Sequence, residues 1–494
     1  MVSFGAGARA SRPRKKQRAG SPRSWRGAFL LALFLTACTT VGPNYHPPKD
    51  ATVNAPTAKG AFVGAKRNAA VAQAPLPPHW WRLYQSPDLD RLVTQALAAN
   101  TDLRVARANL ERSHALVALA RTEGQPNVGF EGGVERAQLS AEQYLFPGNI
   151  PVSNLYDVTL SASYELDLFG RIRRGVEAAK ADDEAVEAAR DWVRVSVAAD
   201  VVRAYVDVCA AGDELAVAHA TLALQQESLA FTRRLMDAGR ATHLDLTRSQ
   251  GLVDQFRASI PTLEARRRNA LYRLATLAGK PPTEFEAGLT RCVAAPPLAQ
   301  PIPVGDGAAL LKRRPDVRAA ERELAASTAR IGVATAGLYP RVQIGASIGS
   351  TGATADFLKH STNDWSFGPG GLAWQLNQNP ARARIAAAKA AQKAQLARFD
   401  GVVLGALREV ESALNVYVHD LERQNSLAGA RDQAASAVTD ARRLQAAGRV
   451  GALATLDAER TLASADSALA SLRSQIAQDQ VGLFLALGGG WEEG

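Results

Sequence analysis

The sequence predicts an α+β membrane protein in which strands pooled from several chains close a β-barrel and long helices run on from it in a coiled-coil-like bundle. Three observations carry that expectation. The chain opens on an export signal, it holds segments of strict period-two alternation long enough to cross a tilted barrel wall, and a long helical stretch follows each strand pair. The whole plan occurs twice, at a separation of about 210 residues.

The 494 residues carry 58 Lys+Arg against 48 Asp+Glu, a formal net charge of +10. Such an excess suits a nucleic-acid binder, but its location argues otherwise. Arg9, Arg12, Arg14, Lys15, Lys16, Arg18, Arg23 and Arg26 all precede residue 38, with no acid among them. Without them 50 basic residues face 48 acidic ones, so the remaining chain is close to neutral and no nucleic-acid partner is expected. A basic prefix running into the apolar stretch Ala28 to Leu35 is the pattern of an export signal, with 1–37 as the cleaved segment. That run is too short for a spanning helix, and no other run of about 18 apolar residues occurs.

The signal ends in Leu35-Thr36-Ala37-Cys38, which resembles the lipobox of bacterial lipoproteins. The resemblance implies diacylglycerol on Cys38; an ordinary signal peptide with a chance cysteine is the alternative. Thr39 stands where an Asp holds many Gram-negative lipoproteins at the inner membrane, so transfer to the outer membrane is permitted. Residues 38–78, rich in Pro, Ala and Lys and without period, read as an extended tether. Cys209 and Cys292 make neither a disulfide framework nor metal-ligand spacing, and a pairing between them cannot be read from sequence.

Residues 79–280 and 308–494 are the two copies, joined by the Pro-rich linker 281–307. Thr101-Asp102-Leu103-Arg104 parallels Pro315-Asp316-Val317-Arg318, Pro126 falls on Pro340, and Ala238-Gly239-Arg240 matches Ala447-Gly448-Arg449. Each copy begins with an amphipathic helix, Leu92 to Arg121 and Ala308 to Ala336. Strands follow. Tyr156, Val158, Leu160, Ala162, Tyr164, Leu166 and Leu168 alternate with Asp157, Thr159, Ser161, Ser163, Glu165 and Asp167, which sends apolar and polar side chains to opposite faces. Val128, Phe130, Gly132 and Val134 form a weaker partner. In the second copy Val342, Ile344, Ala346 and Ile348 alternate, and Trp365 to Leu376 supplies the other strand, with a bulge expected at Gly368-Pro369-Gly370-Gly371.

Next come the long helices. Val186, Ala189, Val193, Val197, Val201, Tyr205 and Val208 recur at steps of three or four, as do Leu396, Phe399, Val403, Leu407, Val410, Leu414, Val418 and Leu421. Such a narrow apolar seam predicts coiled-coil-like packing. A helix from about Arg171 to Asp237 would measure about 100 Å. Gly239 and Gly448 then suit a helix end and hairpin turn.

Four strands of about 9–11 residues cannot close a barrel, and open edges are not tolerated in lipid, so chains must pool their strands. Two chains would give about 8 strands, three about 12 and four about 16, and only about 12 or more leave an aqueous lumen. Asp157, Glu165 and Asp167 would face that lumen, with Tyr156 and Tyr164 toward lipid. A soluble sandwich with Asp and Thr facing water is the competing reading.

Specific segments carry a family resemblance. They are Cys38 with Val41-Gly42-Pro43-Asn44-Tyr45, Tyr164-Glu165-Leu166-Asp167-Leu168-Phe169-Gly170-Arg171, Arg313-Arg314-Pro315-Asp316-Val317-Arg318, Gly337-Leu338-Tyr339-Pro340 and Leu485-Ala486-Leu487-Gly488-Gly489-Gly490-Trp491. The sequence resembles outer-membrane efflux channels of the TolC and OprM type, specifically the lipoproteins that serve resistance-nodulation-division (RND) pumps. That resemblance implies a homotrimer with a 12-stranded barrel in the outer membrane and a periplasmic helical tunnel. It also implies docking, through tip turns holding Gly239, Arg240, Gly448 and Arg449, to a periplasmic membrane-fusion adaptor and an inner-membrane RND transporter. Leu453 and Asp457 match the family's constriction leucine and aspartate, so three copies of Asp457 near one axis would make a cation-sensitive gate. Alternatively, Asp457 faces water beside Arg460. The first copy has Leu244 and Arg248 at those positions. Leu444-Gln445-Ala446 lacks the Arg-Tyr pattern of many relatives, and Asn377-Gln378-Asn379-Pro380 replaces a glycine-rich turn.

Other functions find less support. The seven histidines are scattered without metal-ligand spacing, Gly488-Gly489-Gly490 lacks the Lys-Ser/Thr of a phosphate loop, and Arg266-Arg267-Arg268 reads as an exposed helical face, so neither enzyme nor cofactor is expected. A lipid-anchored adaptor or a protein-secretion channel remain as alternatives.

Overall fold

The computed structural model describes residues 40–65, 69–142, 147–354 and 357–489. Cys38 and Trp491 lie outside the described residues. In chain order the elements are α1 (Pro56–Lys59), β1 (Val71–Ala72), α2 (Pro87–Ala99), α3 (Thr101–Thr122), β2 (Asn127–Ala137), β3 (Ser153–Leu166), α4 (Arg171–Asp237) and α5 (His243–Leu277). They continue with β4 (Ile302–Pro303), α6 (Gly307–Arg313), α7 (Pro315–Ala336), β5 (Arg341–Gly352), β6 (Asn363–Ala373), α8 (Asn379–Ala446) and α9 (Ala452–Ala486). The order helix, strand, strand, long helix, shorter helix thus occurs in both halves. The chain divides into two compact units.

One unit holds Asn127–Arg171 and Tyr339–Gln375. Its antiparallel sheet has the order β2-β3-β5-β6, so the strands of both halves meet at β3 and β5. The expected bulge is present. Gln343 opposes Gly371 and Ile344 opposes Pro369, which leaves one extra residue on β6. β6 ends at Ala373, so Trp374 to Leu376 fall outside the strand.

The other unit holds Gly42–Pro126, Ile172–Leu338 and the chain from Leu376 onward. α4 has the ends read from the sequence, and its 67 residues correspond to about 100 Å. The α8 seam buries Phe399, Val403, Val410 and Leu414 as expected. The α4 seam is buried at Val197, Val201, Tyr205 and Val208 as read, but Ala189 is exposed, and along the first part of the helix the buried positions are Ala178, Ala181, Ala185 and Ala188. Along that first stretch alanine lets a neighbouring segment approach closely, so small side chains define the contact there. The core gathers around Trp80, which is fully buried and stacks on Phe484 with centroids 4.4 Å apart. Burying each such ring stabilises by roughly 2–3 kcal/mol.

Both amphipathic helices are broken, where single helices were expected. Asn100 separates α2 from α3, its side chain accepting from the amides of Asp102 and Leu103. Arg314 separates α6 from α7, since the residue before Pro315 is driven to extended backbone.

The tether expectation is also corrected. Ala51, Ala58 and Phe62 are buried, Asp400 accepts from the amide of Thr52 at 2.8 Å, and Glu411 accepts from those of Val63 and Gly64. β1 pairs in parallel with β4 of the linker. This stretch lacks period because it lies along helices in irregular backbone. The linker is pinned as well, by a disulfide between Cys209 and Cys292. A Cβ at Gly212 would lie 2.1 Å from the Cys292 carbonyl oxygen, so only glycine lets the linker pass over α4 there.

Candidate channel surfaces and helical tips

The register sorts the sheet into two faces. Phe130, Leu160, Ile348 and Trp365 form one row across the four strands, and Val128, Ala162, Ala346 and Phe367 the next. Rows of the opposite kind alternate with these, Gly129-Ser161-Ser347-Ser366 between the two and Glu131-Thr159-Gly349-Asp364 beyond the first. Because facing residues in an antiparallel pair share a side, one face is apolar and the other small and polar. The apolar face is open. Phe130, Trp365 and Phe367 are 71%, 78% and 77% exposed in the single chain. On the polar face Ser347 and Ser366 hydroxyls meet at 2.8 Å, and a Cβ at Gly133 would lie 2.8 Å from Asp157 Oδ1. Glycine opposite a carboxylate leaves room for it.

The three predicted lumen acids fare differently. Asp157 lies on β3 in the polar face, opposite Gly133 and Thr351. Glu165 is on β3 too, but Arg171 donates to its carboxylate twice at 3.0 Å, and both side chains are largely shielded. Its charge is therefore spent at the junction between strand and helix. Asp167 lies beyond the last residue of β3, so its place in the alternation is not a strand position. The chain is already turning toward α4, through Gly170 with φ +78°.

Both tips are built alike. Gly239 and Gly448 have φ of +70° and +71°. The amide of Arg240 donates to the Leu235 carbonyl at 2.8 Å and that of Arg449 to Leu444 at 2.9 Å, while Gly239 and Gly448 donate to Met236 and Gln445. These paired bonds close the last carbonyls of α4 and α8, which is why glycine stands there. The returning helices differ. Thr242 and Asp245 cap α5 reciprocally, and Gly451 begins α9 with no side-chain cap. Burial counts against the Asp245 carboxylate less than its bonds from Thr242, which hold its pKa below the usual range.

Near the second tip Leu453 is exposed, and Asp457 accepts from Arg460 at 2.7 Å. Within one chain, then, the water-facing arrangement is present. Arg248, Leu453, Asp457 and Arg460 line one groove between α5 and α9.

Several residues missed as structural anchors explain the sequence motifs. Buried Arg314 donates to Asp316 at 2.9 and 2.6 Å, to Glu409 at 2.8 Å and to the Ala486 carbonyl at 2.9 Å, and its guanidinium sits 5.1 Å over the Trp192 ring. Burial opposes its charge, and Asp316 and Glu409 outweigh that effect, raising its pKa. Arg174, also buried, holds Glu177, the Gly42 carbonyl and Asn44. Gly42, at φ +91°, presses so closely on Gly332 that a Cβ would lie 2.4 Å away. The position before Pro315 was the signal available for Arg314; nothing local marked Arg174. Arg266 is no free helical face either, since it bridges Asp207 at 3.0 Å and Glu214 at 2.8 Å on α4. Among the described residues no group of three or more His, Cys, Asp or Glu could hold a metal, and no helix is long and apolar enough to cross a membrane.

A strand set with one exposed apolar face, coupled in sequence to long helical hairpins, defines a class of membrane protein with mixed β and α parts. The family model for outer membrane efflux proteins matches residues 92–280 and 308–489, and the chain belongs to that family. Nodulation protein T of Rhizobium leguminosarum bv. viciae is 30% identical over 475 residues, covering 94% of this chain and 93% of its own. The pyoverdine export outer membrane protein OpmQ of Pseudomonas putida is 31% identical over 471 residues, covering 94% and 96%. Among solved structures, the outer-membrane channel OprN matches with a TM-score of 0.83 at 35% identity, over 91% of this chain and 99% of that one. The open state of the Neisseria gonorrhoeae MtrE outer membrane channel matches with a TM-score of 0.76 at 27% identity, over 92% and 99%.

Proposed function

We propose that the chain is the outer-membrane channel subunit of a tripartite efflux system, carrying small molecules such as drugs from a periplasmic pump assembly to the exterior. The observation that carries this reading is the sheet with an exposed apolar face, a small polar face and unpaired edges at β2 and β6. Strand directions alternate, so β6 of one chain can pair antiparallel with β2 of the next, and three chains give a 12-stranded barrel around Asp157 and its polar neighbours. The recurring element order and the two matched stretches support two tandem repeats, 79–280 and 308–494, with 281–307 between them.

Segment 1–37 is the export signal, and Cys38 carries the lipid at the head of 38–78. The partners are a periplasmic adaptor, which meets the tip turns at Gly239, Arg240, Gly448 and Arg449, and an inner-membrane RND transporter. Relatives named for pyoverdine export, toluene efflux and antibiotic efflux support small organic cargo. Leu453 and Asp457 form the aperture, where three carboxylates, each sharing its charge with Arg460, attract divalent cations. Asp457→Ala should weaken block of conductance by divalent cations several-fold; unchanged block would remove Asp457 from the aperture. Native extraction followed by mass measurement should return a trimer, and a monomer would refute the pooled barrel.

A further inference from the structure

A cavity of about 740 Å³ lies within the helical unit, where α3, α4 and α7 meet the chain at Asn44 and Tyr45. Its three buried lining residues, Ile172, Ala181 and Ala325, are apolar. Arg121, Arg173, Lys180 and Arg322 also line it, against two carboxylates, Glu177 and Glu184. Both acids are already engaged. Arg174 donates to Glu177 at 2.7 Å, and Arg322 donates to Glu184 at 3.2 Å. Arg322 is further held by Glu321 at 2.9 Å, with its Cζ 5.6 Å over the Tyr45 ring. Arg121 and Lys180 are exposed, and neither meets a carboxylate among the described residues. The cavity therefore keeps a surplus of positive charge beside apolar surface, which suits an anion carried on an apolar stem.

We propose that this cavity holds the phosphodiester headgroup of an anionic diacyl phospholipid, drawn from the leaflet that meets the helical end of the strands. Arg121 and Lys180 supply charge-assisted donors for the phosphate oxygens, and the apolar lining accepts the glycerol and the start of the acyl chains. Chain connectivity points to the source. Arg121 is six residues from Asn127, where β2 begins, and Arg173 is seven from Leu166, where β3 ends; Asn127 pairs with Ser163, so both lie at the same end of the sheet. Asn44 is six residues from Cys38, the proposed lipid anchor. Seven residues reach at most about 25 Å. Three tracts that each enter the membrane within that reach thus converge on one cationic cavity, as a headgroup site at a bilayer surface requires. Free phosphate has the same chemistry without the acyl chains. The lipid source rests on the outer-membrane channel reading; the surplus of charge does not.

Titration of the full-length, detergent-solubilised protein with dihexanoylphosphatidylglycerol, followed by calorimetry at low salt, tests the site. Saturable binding is expected, weakened about ten-fold or more when Arg121→Gln and Lys180→Gln are combined. Dihexanoylphosphatidylcholine, with the same acyl chains and no net charge, should bind about five-fold more weakly or worse. Both substituted side chains are exposed, so the fold does not depend on them. Arg233→Gln, an exposed cation sixty residues further along α4, should leave binding unchanged. No saturable binding by the wild type, unchanged binding by the double variant, or an equal loss in Arg233→Gln overturns the site. Inorganic phosphate that binds as tightly as the lipid would overturn the lipid source. A wild type that binds the lipid selectively but never conducts in planar bilayers would sink the channel reading and leave the headgroup site standing.

Discussion

Arg314 Nη1 donates to the carbonyl oxygen of Ala486 at 2.9 Å, tying the start of α7 to the last residue of α9. Asn100 Nδ2 makes the same connection in the first half, to the carbonyl of Leu277 at the end of α5, at 3.1 Å. Each donor is the N-cap of a helix after a break, and each acceptor is followed two residues later by a left-handed glycine, Gly279 or Gly488. The two halves thus close with one geometry and different chemistry. Arg314→Ala leaves the Ala486 carbonyl without its donor, empties a buried site and frees the partly exposed carboxylates of Asp316 and Glu409, and should destabilise by about 2–4 kcal/mol in denaturant unfolding. Asn100→Ala removes a neutral cap and should cost about 1–2 kcal/mol. Equal effects would show that the Arg314 charge network adds nothing.

The Cys209–Cys292 bond spans 83 residues of sequence and fixes the linker to α4. Thiol titration of the denatured protein should find neither cysteine reactive until reductant is added. Reduction, or Cys209→Ser, should lower stability by about 2–5 kcal/mol. Two reactive thiols without reductant would contradict the pairing.

Asp479 on α9 is a third test. Burial pushes its carboxyl up to about 6, the bond from Gln475 works the other way, and nearby Asp420 adds to the rise. The fold therefore favours the protonated form. Its contribution is fully present below the usual carboxylate range and is lost as pH rises through about 6. Asp479→Asn should remove that loss and stabilise the protein at pH 7 by about 1 kcal/mol, allowing for partial solvent screening. A pH-stability curve between 4 and 7 that is unchanged by the substitution would contradict the assignment.

On the exposed sheet face, Phe367→Arg should destabilise the membrane-inserted protein by about 2–4 kcal/mol, whereas Ser366→Arg, one residue along on the polar face, should be tolerated. Unfolding from lipid vesicles reads the difference. Equal costs would mean that the two faces do not see lipid and water.

Much of this was legible in the sequence because it rests on period. Strict alternation from Tyr156 to Leu166 gave the strand and its faces, and Gly239 and Gly448 marked both helix ends. Alternation failed where period continued past the structure, at Asp167, and where a carboxylate met a basic partner six residues on, as Glu165 meets Arg171. Contacts without local period were invisible. The docking of Thr52, Val63 and Gly64 on α8, the Cys209–Cys292 pairing and the alanine seam of α4 all depend on chain segments far apart in sequence.

The central claim is that several copies of this chain pool their strands into an open conduit. Planar-bilayer recording of the purified full-length protein tests it most directly. Stable, stepwise single-channel conductance from a trimeric preparation is the result predicted. A preparation of native trimers that inserts and never conducts, with or without its adaptor, would contradict it.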